Sequence, residues 1–269
     1  MGSRISRRQA LRLGGGALAG VAVAGAVGES AVAAGEWVRL PVITANIGRK
    51  NLGARDAAIQ AVRNGDATRP FVGWQEISEG DTGEPAMIAQ HFGPAYNNVF
   101  LHDPSSFRVP ISVPAPWTVV NSNSVFVHGV VPGESPPRWI NEVAVQHGSN
   151  PALKFVLINT HYMHDAYNGT QNPNLRQYWD LQKKTHRERV MNYHDRGTAV
   201  IWTADTNNPN YDQATGQPNE GKVFGSGIDR IDWLPGDGTV QLELLNSKII
   251  PLNVDSHDAH EAIFRIRLA

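Results

Sequence analysis

The sequence predicts an α/β fold in which sheet packs on sheet with helices outside. Three observations predict it. Short apolar runs of strand length dominate residues 37–268, helical spacing is confined to three segments, and Gly 26 with Pro 17 divide the 269 residues into many short elements. Hydrophobic residues make up 41% and charged residues 18%, a composition that folds. Lys+Arg 24 against Asp+Glu 25 excludes a polybasic binder held to nucleic acid by charge alone. The absence of cysteine excludes disulfides, iron–sulfur clusters, cysteine-ligated zinc and a thiol nucleophile.

Two regions are expected: a signal at residues 1–34 and one domain at 35–269. Ser6-Arg7-Arg8-Gln9-Ala10-Leu11 precedes a Gly/Ala-rich apolar run at 13–28, and Ala31-Val32-Ala33 supplies a small-residue cleavage pattern. The paired arginines resemble a twin-arginine export signal. The run is too short and too rich in Gly and Ala for a membrane span of roughly 20 apolar residues, so no span is expected after its removal. Residues 1–34 hold four arginines and one glutamate, so cleavage leaves 20 basic and 24 acidic residues and a formal charge of −4. The expected product is a secreted bacterial protein of unknown oligomeric state.

Residues 37–45 read as a strand by alternation, 54–63 as a helix through Ala57, Ala58, Ala61 and Val62, 70–74 as a short strand, and 87–92 as a helix. Residues 102–123 carry four prolines and read as loop. Strands are expected at 125–131, 143–146 and 153–159. Asn174 is expected to cap a helix to about residue 193, stopped by Gly197. A buried strand at 198–203 precedes a polar loop at 207–227, and the last strands fall at 228–234, 240–245 and 262–268. Trp117, Trp139 and Trp233 either fill the core or line a rim.

Five apolar runs end in a polar or ionisable residue: Asn46, Glu76, His161, Asp205 with Asn207, and His257. Functional groups at strand ends on a rigid sheet commonly build a site. In chain order the segments are Asn46, Gln75-Glu76, Asn159-Thr160-His161, Asp205-Thr206-Asn207, Arg230-Ile231-Asp232-Trp233 and Asp255-Ser256-His257. Over residues 37–268 this series resembles the endonuclease/exonuclease/phosphatase family of metal-dependent phosphoesterases. The Thr-His after a buried strand and the Asp-x-Asn about forty residues later are its most specific parts.

The resemblance implies a four-layer α/β/β/α sandwich, two mostly antiparallel sheets face to face. It also implies Mg2+, with Mn2+ or Ca2+ as alternatives, held by Asn46, Glu76 and Asp255. Phosphodiester hydrolysis needs a neutralised phosphate, an activated water and a protonated leaving group. Glu76 is a hard oxygen ligand suited to Mg2+. His257 is the implied base with Asp232 as its family-matched partner, Asp205 and Asn207 orient the nucleophile and a phosphate oxygen, and His161 and Arg138 donate to the developing charge. The sequence departs from the family in three places. The usual final Ser-Asp-His is Asp255-Ser256-His257, which leaves a register with His260 as base open; Gly48 stands where some relatives carry an acidic ligand; Ala204 replaces the usual Gly. The expected partner is a phosphate-ester substrate, first a nucleic acid. A sphingomyelinase-like lipid, a small phosphate ester or phosphoinositide, and a non-catalytic relative that binds through the same cleft are the alternatives.

Overall fold

A computed structural model describes residues 35–48, 52–77, 83–254 and 257–269. The expected export signal at 1–34 lies outside the described residues, as does Asp255. The chain runs β1 (Val38–Asn46), α1 (Arg55–Asn64), β2 (Phe71–Gln75), α2 (Glu84–His91), β3 (Tyr96–Val99), β4 (Ile111–Pro114), β5 (Trp117–His128), β6 (Arg138–His147) and β7 (Asn150–His161). It continues through α3 (Arg176–His194), β8 (Val200–Asp205), β9 (Gly221–Lys222), β10 (Asp229–Leu234), β11 (Val240–Val254) and β12 (His257–Leu268). Among the described residues no helix is long and apolar enough to cross a membrane.

The strands form two six-stranded sheets, ordered β11-β12-β1-β2-β4-β3 and β5-β6-β7-β8-β10-β9. One pair in each sheet is parallel, β1 with β2 and β7 with β8. The layering follows from which residues alternate along the central strands. Leu40, Val42, Leu157, Ile201, Ile231 and Phe264 fill the space between the sheets. Ile43, Ala45 and Trp74 point the other way, under Ala58, Ile59 and Val62 of α1 and Ile88 of α2. Ile158, Val200 and Trp202 pack beneath Trp179 and Val190 of α3. This is the expected arrangement of two face-to-face sheets with helices outside.

Several element boundaries differ from the expectation. The proline-rich stretch 102–123 contains β4 and the start of β5. Three of its four prolines fall at strand ends (Pro110 just before β4, Pro114 last in it, Pro116 just before β5), where a missing N–H costs no ladder bond. Asn172, not Asn174, makes the cap: its side chain accepts from the Asn174 N–H around a 3-10 turn, and α3 starts at Arg176. β11 is far longer than 240–245 because β12 pairs with it from Val240 to Val254. Within 207–227, Gly221–Lys222 forms the short β9, and buried Glu220 accepts the backbone N–H groups of Ala214, Thr215 and Gly216.

A buried polar belt joins the sheets just below one end. Asn159 on β7 donates to the carbonyls of Trp74 at 2.7 Å and Pro110 at 3.1 Å, and its Oδ1 accepts from Gln75 at 2.7 Å and Thr203 at 3.0 Å. Gln75 also bonds Thr44 on β1 at 3.2 Å. Gly73 faces the other sheet at this belt, and a Cβ there would overlap Thr203 Oγ1 and Asn159 Oδ1. Gly73→Ala is therefore expected to lower stability by about 1–3 kcal/mol through overpacking. Asn159→Leu should destabilise at least as much, because it removes the bonds that Asn159 makes to Gln75, Thr203 and the Trp74 and Pro110 carbonyls inside the buried belt. Urea denaturation checks both, as a lowered midpoint with unchanged slope.

Candidate active site

The topology brings six strand ends to the mouth above this belt. β1, β2, β7 and β8 deliver their last residues there: Asn46, Gln75 with Glu76 next, His161 and Asp205. β10 and β12 run the opposite way and deliver their first, Asp229 and His257. His161 stands beside Asp205 in the β7–β8 register, and Asp205 beside Asp229 in the β8–β10 register.

The side chains converge. His161 Nε2 lies 3.4 Å from Asp205 Oδ2 and 3.9 Å from Glu76 Oε1. His257 Nε2 lies 4.0 Å from the same Asp205 oxygen. Asn46 Nδ2 donates to Asp205 Oδ2 at 2.8 Å, and the Asn207 N–H donates to Asp205 Oδ1 at 2.8 Å. Asn207 itself has φ 48° and its Nδ2 donates to the Tyr162 carbonyl at 3.1 Å. Glu76 has φ 61°, an uncommon backbone for a glutamate, held by Ile77, which is fully buried and bonds the Arg108 carbonyl. Asn46, Glu76, His161, Asp205, Asn207 and His257 thus share one mouth. Arg138 sits behind them, buried, with Nε donating to Ser135 Oγ at 3.0 Å and Nη1 to His161 Nδ1 at 2.9 Å.

His161 is held between two donor groups: Arg138 Nη1 lies 2.9 Å from its Nδ1 and Asn207 Nδ2 lies 3.0 Å from its Nε2, with Asp205 Oδ2 beside the ring. Gly48, at φ 68°, closes the turn after β1 by donating its N–H to Asn46 Oδ1 at 2.8 Å, while its carbonyl accepts from buried Arg55. A backbone conformation that favours glycine accounts for the missing side chain at that position.

The partner of His257 is Asp229, not Asp232. His257 Nδ1 lies 3.2 Å from Asp229 Oδ2. Alternation along β10 puts Asp229 and Ile231 on the face between the sheets and Arg230 and Asp232 on the other. There Asp232 pairs with Arg230 at 3.0 Å, both fully buried, and burial, against the pull of Arg230, pushes its carboxyl up to about 7. Sequence reasoning missed Asp229. The signal was the two-residue alternation of Asp229-Arg230-Ile231-Asp232, which assigns the acids to opposite faces but does not say which face is the cleft. The His260 ring packs against Phe224, and it is His257 that bonds Asp229.

The electrostatics are those of crowded carboxylates. Burial raises Asp229, and the neighbouring Asp205 charge raises it further. Burial opposes the charge of Asp205 as well, but the bond from His161, the charge of His257 and the Asn207 N–H outweigh it and hold this carboxyl well below the usual range. Burial favours neutral His257, yet the bond to Asp229 and the charges of Asp205, Asp229 and Glu76 lift it to about 9. Donor atoms of Asp205, Asp229 and His257 lie within 4.8 Å of one another, and Asp229 Oδ1 is buried without a hydrogen-bond partner. Three carboxylates around so little positive charge form an oxygen-rich donor set that fits a hard divalent cation.

No protein-family model matches the sequence, and no curated protein sequence matches it. Solved structures do match. An endonuclease/exonuclease/phosphatase family protein from Bacteroides thetaiotaomicron superposes with TM-score 0.60 at 13% identity, over 86% of this chain and 99% of that one. D. rerio TDP2 complexed with single strand DNA product gives 0.62 at 14% identity, over 84% and 98%. The Bacteroides thetaiotaomicron mannosyl-6-phosphatase gives 0.55 at 13%, over 86% and 99%. The chain has the fold of these endonuclease/exonuclease/phosphatase proteins.

The raised His257 fixes a pH dependence. Its ion pair stabilises the fold fully below the unfolded value of about 6.5, and that stability is lost as pH rises through about 9. In metal-free protein, Asp229→Asn is expected to bring the His257 titration down by more than about one unit. Asp232→Asn should leave that titration in place while costing about 3–5 kcal/mol of stability, since it leaves Arg230 buried and unpaired. Histidine NMR titration and chemical denaturation read the two effects separately.

Proposed function

We propose that this chain is a divalent-cation-dependent phosphoesterase that hydrolyses a phosphodiester of nucleic acid, and that it is exported. The observation that carries the reading is the convergence of Glu76, His161, Asp205 and the His257–Asp229 pair on one mouth, with distances between 3.2 and 4.0 Å linking them. Glu76 and Asn46 are the residues that would hold the cation, together with Asp255. When bound there, the cation neutralises charge on the phosphate.

In this reading the protein groups divide the remaining work. His257, oriented by Asp229, takes the proton from the attacking water in its neutral form, which a cation held beside it would favour over the charged form of the metal-free site. Asp205, ionised and held by Asn46 and Asn207, orients that water. His161, positioned by Arg138 and Asn207, faces the phosphate oxygens as negative charge develops. Arg138 then acts through His161 instead of touching the phosphate.

The DNA-product complex among the structural neighbours supports a nucleic-acid substrate. The mannosyl-6-phosphatase neighbour, with the −4 charge expected after cleavage, supports a small phosphate ester as second reading. Export is supported by Arg7-Arg8 and the Gly/Ala-rich run after them. Hydrolysis of bis-p-nitrophenyl phosphate is expected to require Mg2+ or Mn2+ and to stop in EDTA. Glu76→Gln and His257→Asn should each lower kcat by about 10²–10³. Activity that survives EDTA, or that both variants retain in full, would refute the reading. A panel of single-stranded DNA, RNA, sphingomyelin and sugar phosphates ranks the substrates.

A further inference from the structure

The wall beside His161 carries aromatic residues that the proposed chemistry leaves unused. Strand pairing places Phe126 opposite Trp139 and Ser124 opposite Asn141, and Asn141 opposite Asn159. Directly paired residues share a sheet face, and so do residues two apart. Phe126, Trp139, Asn159 and His161 therefore line the same face, the one turned to the cleft. The face assignment has independent support, because Asn141 donates to the carbonyls of Ser106 and Val109 in the loop that closes over the cleft side of this sheet.

Phe126 and Trp139 meet edge to face, ring centroids 5.2 Å apart at 66°. Phe126 nevertheless stays 53% exposed, whereas Trp117 is buried in the core between the sheets and Trp233 packs against that core. At about 4.8 Å per strand, Trp139 stands one strand and Phe126 two strands from the His161 column. That is roughly 10 Å along the wall, the scale of one nucleotide.

We propose that Phe126 and Trp139 form a stacking platform for the nucleobase next to the scissile phosphate. A half-exposed phenylalanine ring backed by a tryptophan, on the wall beside a phosphoesterase mouth, matches the chemistry of single-stranded nucleic acid, whose bases stack on aromatic rings. The assignment rests on the nuclease reading above and names the substrate feature that reading requires.

The test separates the two. Single-stranded oligothymidylate and an abasic oligonucleotide of equal length are titrated against the full protein in EDTA, with tryptophan fluorescence as readout. The native protein is expected to bind the base-bearing strand about tenfold more tightly, within the range of one stacked base. The ratio should fall toward one in Phe126→Ala and Trp139→Ala, and Phe126→Tyr should restore it. Because Phe126 is half exposed, its alanine variant keeps the test sound if Trp139→Ala fails to fold. A native ratio near one, or a ratio unchanged in Phe126→Ala, overturns the platform. Loss of binding to sphingomyelin–phosphatidylcholine vesicles in Phe126→Ala, without base discrimination, overturns it in favour of a lipid surface. Base discrimination with no cleavage of the same oligonucleotide in Mg2+ supports the platform and refutes the nuclease reading alone.

Discussion

A single asparagine amide sets the spacing of the two sheets at their active end. Asn159 donates to the backbone around β2 and accepts from Gln75 and Thr203, so both layers are tied through one planar group with fixed directions. Thr44, Gln75, Asn159 and Thr203 form the belt, and Asn46, Glu76, His161 and Asp205 stand one or two residues beyond them on the same strands. A strand carries i and i+2 on one face. The belt therefore aims Asn46, His161 and Asp205 into the gap it spans. Buried amides and hydroxyls must find partners, so a shift of one sheet against the other would break the belt before it displaced the site.

The charge balance above the belt follows from that placement. Asp205 and Asp229 are forced side by side by the β8–β10 register, and Glu76 is added by the turn after β2. Two imidazoles are the neighbouring groups able to share protons with these carboxylates. Arg138 and Asn207 hold one of them between their donor groups, and Asp229 draws the other toward its charged form. The Arg230–Asp232 pair, on the far face of β10, neutralises itself and stays out of this balance.

The turns that carry the polar groups are held by apolar or ionic anchors next to them. Ile77 sinks into the core beside α1 and α2 and pins the left-handed backbone of Glu76. Arg55 bonds both Glu84 and the Gly48 carbonyl, tying the turn after Asn46 to the two helices. Gln182 of α3 reaches Thr160 and the His161 carbonyl. The outer helices thus act on the site through the loops, which is why the four-layer arrangement matters to the chemistry.

Much of this was readable from residue order. Apolar runs of strand length ending in Asn46, Glu76, His161 and Asp205 announced both the sheets and the residues at their ends, because alternation and burial are local properties of a strand. The resemblance to a known family extended that reading to two stacked sheets. Only the tertiary structure decided which acid serves His257, since Asp229 and Asp232 differ in the face they occupy and a face has no meaning until β8 and β12 lie alongside. It likewise decided that Arg138 holds a histidine, that Trp139 is partly exposed while Trp117 is buried, and that prolines 110, 114 and 116 mark the ends of strands. Local sequence determines what a segment is; which neighbours a side chain meets is set by long-range pairing, and the electrostatics of the site depend on those neighbours.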